Sequence, residues 1–378
     1  MKVFERIDTL NEKYLEFLRG MCRLEGDSND KNSVNEVNDF IEKFAKEEGF
    51  STTRYPFEKA GDYMCVDINE GEEKGYLFIA HTDTVFEKGT FSDEVLKEDD
   101  EYIYAPGIID CKGGIAIALM AMKALFLEGY KKHLRLIIVS DEEIDNAMAG
   151  KQGVDTIIEC SKGFVGGFCC EVGVNDEIVI SRAGVSRYEV KVLGKSAHSG
   201  INYFDGVNAI YEAAKKIDAI QSLSEKGGIT YSCNIIEAGT KFNIIPDVCT
   251  FKVDIRTKTP AQSDVVAENM KRIADTDYIG GSGCNLTLIS SRMPMEKNEG
   301  NIALFEKIKE ISAKYSLENF KMIESGGGAD CAYSTVAGVP TVCGIGMTGT
   351  GCHTVNEKGE KASLPRRAKI LAAVISEG

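Results

Sequence analysis

Six acidic and histidine side chains in this sequence have the types and the setting that metal chemistry requires. They are His81, Asp110, Glu142, Glu143, Glu171 and His353. Imidazole and carboxylate ligands in this proportion suit borderline divalent cations such as Zn²⁺, and Co²⁺ or Mn²⁺ is possible on ligand type. A carboxylate shared by two such ions, about 3.5 to 4 Å apart, helps them to lower the pKa of a bridging water and to clamp a carbonyl oxygen. The six residues therefore predict a two-metal hydrolytic site.

Three apolar runs of buried-strand type lead into these positions. They are 77–80 before His81, 134–139 before Glu142 and Glu143, and 166–170 before Glu171. Asp110 precedes a glycine-rich helix entry, where Gly113 and Gly114 favour close backbone approach, and His353 follows a strand-like run at 341–345. At any single position a polar turn, a helix cap or a solvated acidic loop is an adequate structural explanation. Convergence of all six at the carboxyl edge of one sheet, where α/β proteins bind ligands, favours the site.

Composition limits the partners of this site. The chain has 378 residues, of which 43% are hydrophobic and 27% charged, with a formal net charge of −15. This predicts a two-domain globular protein that binds neither nucleic acid nor anionic membrane. Acids interrupt the N-terminus before any apolar signal region, so we expect a cytoplasmic protein. The twelve cysteines are expected to be reduced thiols, mostly buried as small apolar residues.

The order of predicted elements changes near residue 183. From 183 to 295 strands and helices alternate as β-α-β-β-α-β, the ferredoxin-like order, with the second helix predicted at 265–274. The segments 1–182 and 296–378 then form a catalytic metal-binding domain into which this smaller domain is inserted. His133, just before the 134–139 strand, is expected at the surface.

Eight short motifs occur in an order characteristic of one enzyme family. They are His81-Thr82-Asp83, Gly107 to Gly114, Asp141-Glu142-Glu143, Cys170 to Gly173, Gly194 to Gly200, Asn243 to Pro246, Asp254-Ile255-Arg256 and Cys352-His353. From about residue 75 to 355 the chain resembles the zinc peptidase family of glutamate carboxypeptidase, acetylornithine deacetylase, succinyl-diaminopimelate desuccinylase and aminoacylase. The resemblance implies a two-domain α/β fold: a zinc-peptidase-like catalytic domain with an inserted ferredoxin-like (βαββαβ) lid and dimerisation domain. It also implies a homodimer that forms through the lid.

The resemblance implies two zinc ions per subunit and assigns their ligands. Asp110 would bridge the ions, with His81 and Glu171 on one of them and Glu143 and His353 on the other.

The remaining roles concern catalysis and substrate. Glu142 would be the general base that deprotonates the bridging water and then protonates the leaving amine, and Asp83 would fix the tautomer of His81. His198 resembles a histidine that reaches the scissile carbonyl oxygen, in dimeric members from the partner subunit, and stabilises the developing charge. The residues matched to substrate binding are Asn243, Arg256 and Gly327.

The implied function is hydrolysis of the amide bond in a small peptide or N-acyl amino acid that has a free α-carboxylate. Glu171 favours carboxypeptidases and deacylases, because aminopeptidases of the family are associated with Asp at that position. An aminopeptidase or a di- or tripeptidase of the same family is the alternative. A catalytically silent metal-binding homologue is another, although Glu142, an acid that is not a ligand, is needed only for proton transfer.

Two further features of the sequence bear on its function. The pattern Gly-x-Gly-x-x-Gly at 344–349 matches a dinucleotide-binding loop, but no apolar helix follows it to hold a pyrophosphate. Cys111 and Cys352 stand next to two candidate ligands and could compete for a soft metal or make the site sensitive to oxidation. We expect both thiols to be inert.

Overall fold

The computed structural model describes residues 1–91, 95–174 and 176–377. They form two compact units. The first comprises Met1–Ser181, Lys297–Ser325 and Ala329–Gly378, and the second comprises Arg182–Glu296 and Gly326–Gly328. Gly326–Gly328, which the sequence prediction includes in the catalytic domain, therefore groups with the second unit.

Helices and strands are numbered along the chain. The helices are α1 (Lys2–Cys22), α2 (Lys31–Glu47), α3 (Gly113–Leu127), α4 (Gly150–Ser161), α5 (Ala209–Gln221), α6 (Pro260–Asp275), α7 (Glu299–Lys314), α8 (Cys331–Val336) and α9 (Ser363–Ser376). The strands are β1 (Ser51–Tyr55), β2 (Tyr63–Ile68), β3 (Lys74–His81), β4 (Lys97–Glu98), β5 (Tyr102–Tyr104), β6 (His133–Val139), β7 (Gly166–Cys169), β8 (Glu177–Arg182), β9 (Gly184–Leu193), β10 (Ala197–His198), β11 (Thr230–Ala238), β12 (Ile244–Ile245), β13 (Val248–Thr257), β14 (Gly283–Arg292), β15 (Lys321–Ser325), β16 (Thr341–Cys343), β17 (Gly349–Thr350) and β18 (Lys358–Glu360).

An eight-stranded sheet runs through the first unit. Its spatial order is β1-β2-β6-β3-β7-β16-β8-β15. β3 lies parallel to β6 and β7, and β7 lies parallel to β16. Every residue of β2 and β7 is buried, as is expected where both faces of a sheet are covered. The four parallel strands end at one edge of the sheet, and this α/β arrangement confirms the predicted fold class.

A second, four-stranded sheet in the first unit has the order β17-β18-β5-β4. β18 pairs antiparallel with β5, so the segment after β17 is held beside the chain that leads from β5 into α3. A π-helical turn, Ile108–Lys112, joins that chain to α3. This small sheet thus connects the C-terminal part of the sequence with the loop that contains Asp110.

α3 is apolar around its whole circumference and lies in the core, in contact with α1 and α9. It begins at two glycines that pack against other backbone segments. A Cβ atom at Gly114 would lie 2.0 Å from the carbonyl oxygen of Cys170, and one at Gly113 would lie 2.5 Å from that of Ile108. The predicted close backbone approach is therefore confirmed.

Replacing Gly114 tests this packing. Gly114→Ala is expected to destabilise the protein by roughly 1 to 3 kcal/mol, because the Cys170 carbonyl cannot rotate away and must move with the chain before Glu171. Gly283→Ala is the control, since its Cβ would meet Leu193 at an ordinary 3.6 Å. Urea unfolding measures both variants, and equal midpoints would contradict the expectation.

The second unit has the order β9-α5-β11-β13-α6-β14, with the short pair β10 and β12 added. Its antiparallel sheet runs β11-β13-β9-β14, and α5 and α6 both contact it. This is the predicted βαββαβ order, which confirms the inserted ferredoxin-like fold. α6 begins earlier than the predicted residue 265, because Thr259 and Gln262 form a capping box around Pro260.

None of the twelve cysteines, all of which lie in described segments, forms a disulfide, and nine are buried. This agrees with the expectation for small reduced residues. Among the helices of residues 1–91, 95–174 and 176–377, none combines the length and the apolarity that a bilayer crossing requires.

The prediction that His133 lies at the surface is wrong. The residue is only 4% exposed, and its Nε2 atom is 2.6 Å from Asp67 Oδ1. The same carboxylate accepts a hydrogen bond from Arg135 at 2.7 Å. His133 is buried because β6 is an inner strand and Asp67, on the neighbouring β2, supplies its partner.

Candidate metal centre

The candidate ligands converge at the edge where the parallel strands end. His81 is the last residue of β3, Glu143 follows β6 in a 3₁₀ turn, and Glu171 lies two residues beyond β7. Asp110 comes from the π-helical turn before α3, and His353 from the loop between β17 and β18. All five belong to the first unit.

Asp110 lies between two sets of donor atoms. Its Oδ1 atom is 3.1 Å from His81 Nε2, and its Oδ2 atom is 3.1 Å from His353 Nε2. Glu171 Oε1 lies 3.7 Å from His81 Nε2, and Glu143 Oε2 lies 3.1 Å from His353 Nε2. Each histidine therefore faces one oxygen of Asp110 and one further acid.

This donor set fits two divalent cations. Zinc binds nitrogen and oxygen at about 2.0 to 2.2 Å in tetrahedral geometry, which places two ligand atoms about 3.4 Å apart. The separations of 3.1 to 3.7 Å given above lie close to that value. Asp110 offers a different oxygen to each set, as a bridging carboxylate does.

Hydrogen bonds determine the tautomer of His81. Its Nδ1 atom lies 3.0 Å from the backbone oxygen of Asp83 and 3.3 Å from the Asp83 carboxylate. Both groups are acceptors, so Nδ1 carries a proton, which leaves Nε2, facing Asp110 and Glu171, as the atom that would bind a cation. This is the contact that the predicted orienting role of Asp83 requires.

Asp83 also holds the turn after β6. Its carboxylate accepts the backbone N–H groups of Glu142 and Glu143 at 3.1 and 3.0 Å, and the hydroxyl of Ser28 at 2.8 Å. One buried carboxylate thus ties a histidine of one strand end to the two glutamates of the next. The sequence motif predicted the contact with His81 but not this second one.

Two buried charges that sequence reasoning missed brace the Asp110 loop. Glu357, 2% exposed, accepts the backbone N–H groups of Gly107, Ile109 and Asp110 at 3.0, 2.9 and 3.3 Å. Lys112, fully buried, donates to three carbonyl oxygens. They belong to Leu24, Glu25 and Pro106, at 2.6, 3.1 and 3.1 Å. Their only signal in the sequence is position: Lys112 lies in the 107–114 motif, and Glu357 stands four residues after His353.

The two neighbouring thiols differ in orientation. Cys111 is fully buried, and its sulfur accepts the backbone N–H of His81 at 3.4 Å. Cys352 is half-buried, and its sulfur lies 3.0 Å from Asp110 Oδ2. Cys352 therefore faces the same carboxylate oxygen as His353.

Burial and charge perturb the acids and histidines. Burial raises the pKa of Glu143 to about 7, and burial with the nearby Asp110 raises the pKa of Glu171 well above its usual range. Burial also opposes charge on Asp110, but hydrogen bonds from His353 and His81 hold its pKa well below the usual range. Hydrogen bonds to Asp110, Cys352 and Glu143 raise the pKa of His353 far above normal. Without a cation, protons neutralise part of this acidic cluster.

Metal affinity is therefore expected to depend on pH. Glu143 carries a proton below about pH 7 in the metal-free protein, so a cation must displace that proton. We expect the affinity for Zn²⁺ to rise with pH through this range, by about tenfold per pH unit for each proton released. The raised pKa of His353 extends the rise to higher pH. Chelator competition between about pH 5 and pH 8 measures it, and a flat profile below pH 7 would contradict the expectation.

The second unit brings two pairs of predicted substrate residues together. His198 ends β10, and the N–H of the next residue, Ser199, donates to the backbone oxygen of Asn243 at 3.0 Å. The Nδ1 atom of His198 accepts hydrogen bonds from the backbone of Gly200 and Ile201, so Nε2 carries the proton and is a donor.

The other pair involves the glycine-rich turn. Arg256 on β13 forms two hydrogen bonds with Asp254, at 2.7 and 3.0 Å, and a third with the backbone of Gly326 at 3.4 Å. Gly327 follows in the same turn, and its carbonyl oxygen is 3.5 Å from Arg182 Nη1. The guanidinium of Arg256 is therefore already oriented by a carboxylate of its own strand.

Known proteins resemble this chain along most of its length. Carboxypeptidase G2 from Pseudomonas sp. (strain RS-16) is 25% identical over 370 residues, which cover 95% of this chain and 88% of that protein. A tripeptidase from Staphylococcus aureus has the same fold, with a TM-score of 0.77 at 19% identity, covering 97% of this chain and 98% of that chain. The Bacillus subtilis YXEP protein, described as a dinuclear metal-binding peptidase, has a TM-score of 0.71 at 18% identity, covering 97% and 98%.

The family model for peptidase family M20/M25/M40 matches residues 77–377, which include every candidate ligand. The match confirms the resemblance found in the sequence motifs. Because it spans most of the chain, this protein belongs to peptidase family M20/M25/M40 and is a metal-dependent peptidase or amidohydrolase.

Proposed function

We propose that this protein is a two-zinc hydrolase that cleaves the amide bond of a small peptide or N-acyl amino acid with a free α-carboxylate. One observation carries the proposal. Asp110 lies 3.1 Å from each of two histidines, through different oxygens, and each histidine faces one further acid. Glu142, 8% exposed, precedes Glu143 in the turn after β6, and its charge contributes to the raised pKa of Glu143 and of Glu171.

Glu142 and Asp83 have different proposed roles in this reaction. Two bound ions would polarise the scissile carbonyl and lower the pKa of a water between them. Glu142 takes a proton from the water and passes it to the nitrogen of the leaving amine. Asp83 keeps His81 in one tautomer and holds the backbone of Glu142 and Glu143 in place.

The second unit is proposed to supply the substrate contacts. His198 presents an Nε2–H group that suits a carbonyl oxygen as it gains negative charge. Arg256 suits a free carboxylate, because a guanidinium binds carboxylates in a bidentate manner. Asn243 and Gly327 complete the set that family resemblance assigns. We also propose that this unit acts as a lid and as the dimerisation surface of a homodimer, and that the protein is cytoplasmic. Light scattering can test the homodimer.

The type of peptidase needs a direct measurement, because the relatives include both a carboxypeptidase and a tripeptidase. Glu171 supports the carboxypeptidase or deacylase type. Metal analysis should be followed by a panel of acetyl, succinyl and aminoacyl derivatives of one amino acid, each with a free and an amidated carboxyl group. Cleavage only of compounds with a free carboxylate supports the proposal. Equal cleavage of amidated compounds with a free N-terminus supports an aminopeptidase, and metal binding without turnover supports a silent homologue.

Two arginine variants, assayed with the same panel of compounds, test the proposed role of Arg256. Arg256→Ala should reduce kcat/KM for the free carboxylates by about 30-fold or more, since losing one partner of a desolvated charge pair costs about 2 kcal/mol or more. Arg187→Ala is the matched control, because Arg187 also contacts Asp254, at 3.3 Å, but has no assigned substrate role. Equal losses in both variants would remove Arg256 from the proposed site.

A further inference from the structure

Cys352 places a sulfur atom at the candidate metal centre. Its Sγ atom is 3.0 Å from Asp110 Oδ2, and His353 Nε2 is 3.1 Å from the same oxygen. The donor atoms of Asp110, Cys352 and His353 all lie within 4.8 Å of one another. The sulfur and the imidazole nitrogen therefore face the same oxygen of Asp110, and the three donor atoms are close enough together to share one cation.

We propose that Cys352 is a further ligand to the ion held by Asp110, Glu143 and His353. The proposal rests on the two-metal function proposed above. It makes this position a mixed site with one sulfur, one nitrogen and two carboxylate groups from the protein, and binding releases the thiol proton to solvent. Thiolate ligands favour Zn²⁺ and softer ions over Mn²⁺, so this position selects a softer metal than carboxylates and imidazole alone would.

Cys111 is not proposed as a ligand at the other metal position, which His81 and Glu171 share with Asp110. Its sulfur also lies within 4.8 Å of donor atoms of His81 and Glu171. However, that sulfur accepts the backbone N–H of His81 at 3.4 Å, whereas Cys352 donates to a ligand oxygen. The two metal positions are therefore chemically different, with sulfur at only one of them.

Cobalt substitution tests the assignment. Co²⁺ bound to a thiolate absorbs in the near ultraviolet by charge transfer from sulfur, whereas Co²⁺ bound only to nitrogen and oxygen lacks this band. We expect the Co²⁺-loaded wild-type protein to show the band and Cys352→Ser to lack it. Cys352→Ser should also bind one of its two ions roughly 10- to 100-fold more weakly in chelator competition. Cys111→Ser, and Cys284→Ser as a half-buried thiol of the second unit, should keep the band.

Other results of the cobalt experiment would contradict one or both proposals. A wild-type protein that binds two Co²⁺ ions without the band, or a band that survives in Cys352→Ser, overturns the role of Cys352 and leaves the two-metal function intact. Failure of the wild type to bind Co²⁺ or Zn²⁺ overturns both proposals.

Alkylation provides a second measurement that needs no variant. In the native protein, bound Zn²⁺ should protect Cys352 from iodoacetamide, and chelation should expose it, as peptide mass mapping can record. Cys284 should react equally with and without metal. Equal reaction of Cys352 in both states contradicts its role as a ligand.

Discussion

Glu142→Gln is expected to retain both metal ions and to lose roughly 10²- to 10⁴-fold in kcat. Glu142 lies next to the proposed ligand Glu143 in the turn after β6, and Asp83 holds that turn through the backbone N–H groups. An amide at this position keeps the size of the side chain but cannot accept the proton of the attacking water. Metal content by elemental analysis and kcat on a substrate found in the panel measure the two effects separately.

Glu143→Gln is the matched control, because it makes the same chemical change one residue later. Its carboxylate lies 3.1 Å from His353 Nε2, so the substitution should weaken metal binding itself, and added Zn²⁺ should restore part of the activity. Excess metal should not rescue Glu142→Gln. Turnover by Glu142→Gln at the wild-type rate, or loss of metal in both variants, would exclude Glu142 as the general base.

Glu357→Gln is expected to weaken metal binding by roughly 10- to 100-fold, although Glu357 is not a ligand. Its two oxygens accept three N–H groups of the loop that carries Asp110. A glutamine has one acceptor oxygen, so its NH₂ group must face at least one backbone donor and displace the loop. Chelator competition with Zn²⁺ measures the affinity.

Folding stability should change much less in this variant. Burial raises the pKa of Glu357 to about 7, against the effect of its backbone hydrogen bonds. Because the folded protein binds this proton more tightly than the unfolded chain, ionisation of Glu357 reduces stability as pH rises from about 4.5 to 7. A neutral amide avoids that loss and gives up part of the hydrogen bonding, so the net change should stay within about 1 kcal/mol.

Glu212→Gln is the control that distinguishes a positioning role of Glu357 from a general effect on folding stability. Glu212 is also fully buried and accepts backbone N–H groups, those of Tyr278 and Ile279, but it lies in the second unit and pairs with Lys216 at 3.0 Å. Breaking a buried pair costs roughly 3 to 5 kcal/mol, so this variant should unfold more easily and bind metal normally. If Glu357→Gln kept wild-type affinity, or if Glu212→Gln lost affinity as well, Glu357 would have no positioning role.

Regular patterns made much of the fold predictable. The strands before His81, Glu142 and Glu171 are continuous apolar runs, and parallel strands covered on both faces have that composition. In the second unit the alternation of strands and helices was sufficient to predict βαββαβ. Boundaries were less accurate where a side-chain cap decides them, as at Thr259, since a capping box depends on two residues rather than on periodicity.

The amino-acid motifs alone were sufficient to predict the family, the two-domain α/β fold and the set of candidate ligands, because each depends on short motifs and on the direction of neighbouring strands. Three features became visible only in the folded chain: which oxygen of Asp110 faces which histidine, the contact of Cys352 with that carboxylate, and the hydrogen bonds by which Glu357 holds the loop. The contacts of Asp110 with Cys352 and His353, and those of Glu357 with the loop, join residues 242 to 250 positions apart, and the contact of Asp110 with His81 spans 29 positions, so no local pattern records them. The burial of His133 was also not predictable from local sequence, because it depends on Asp67 in a different strand.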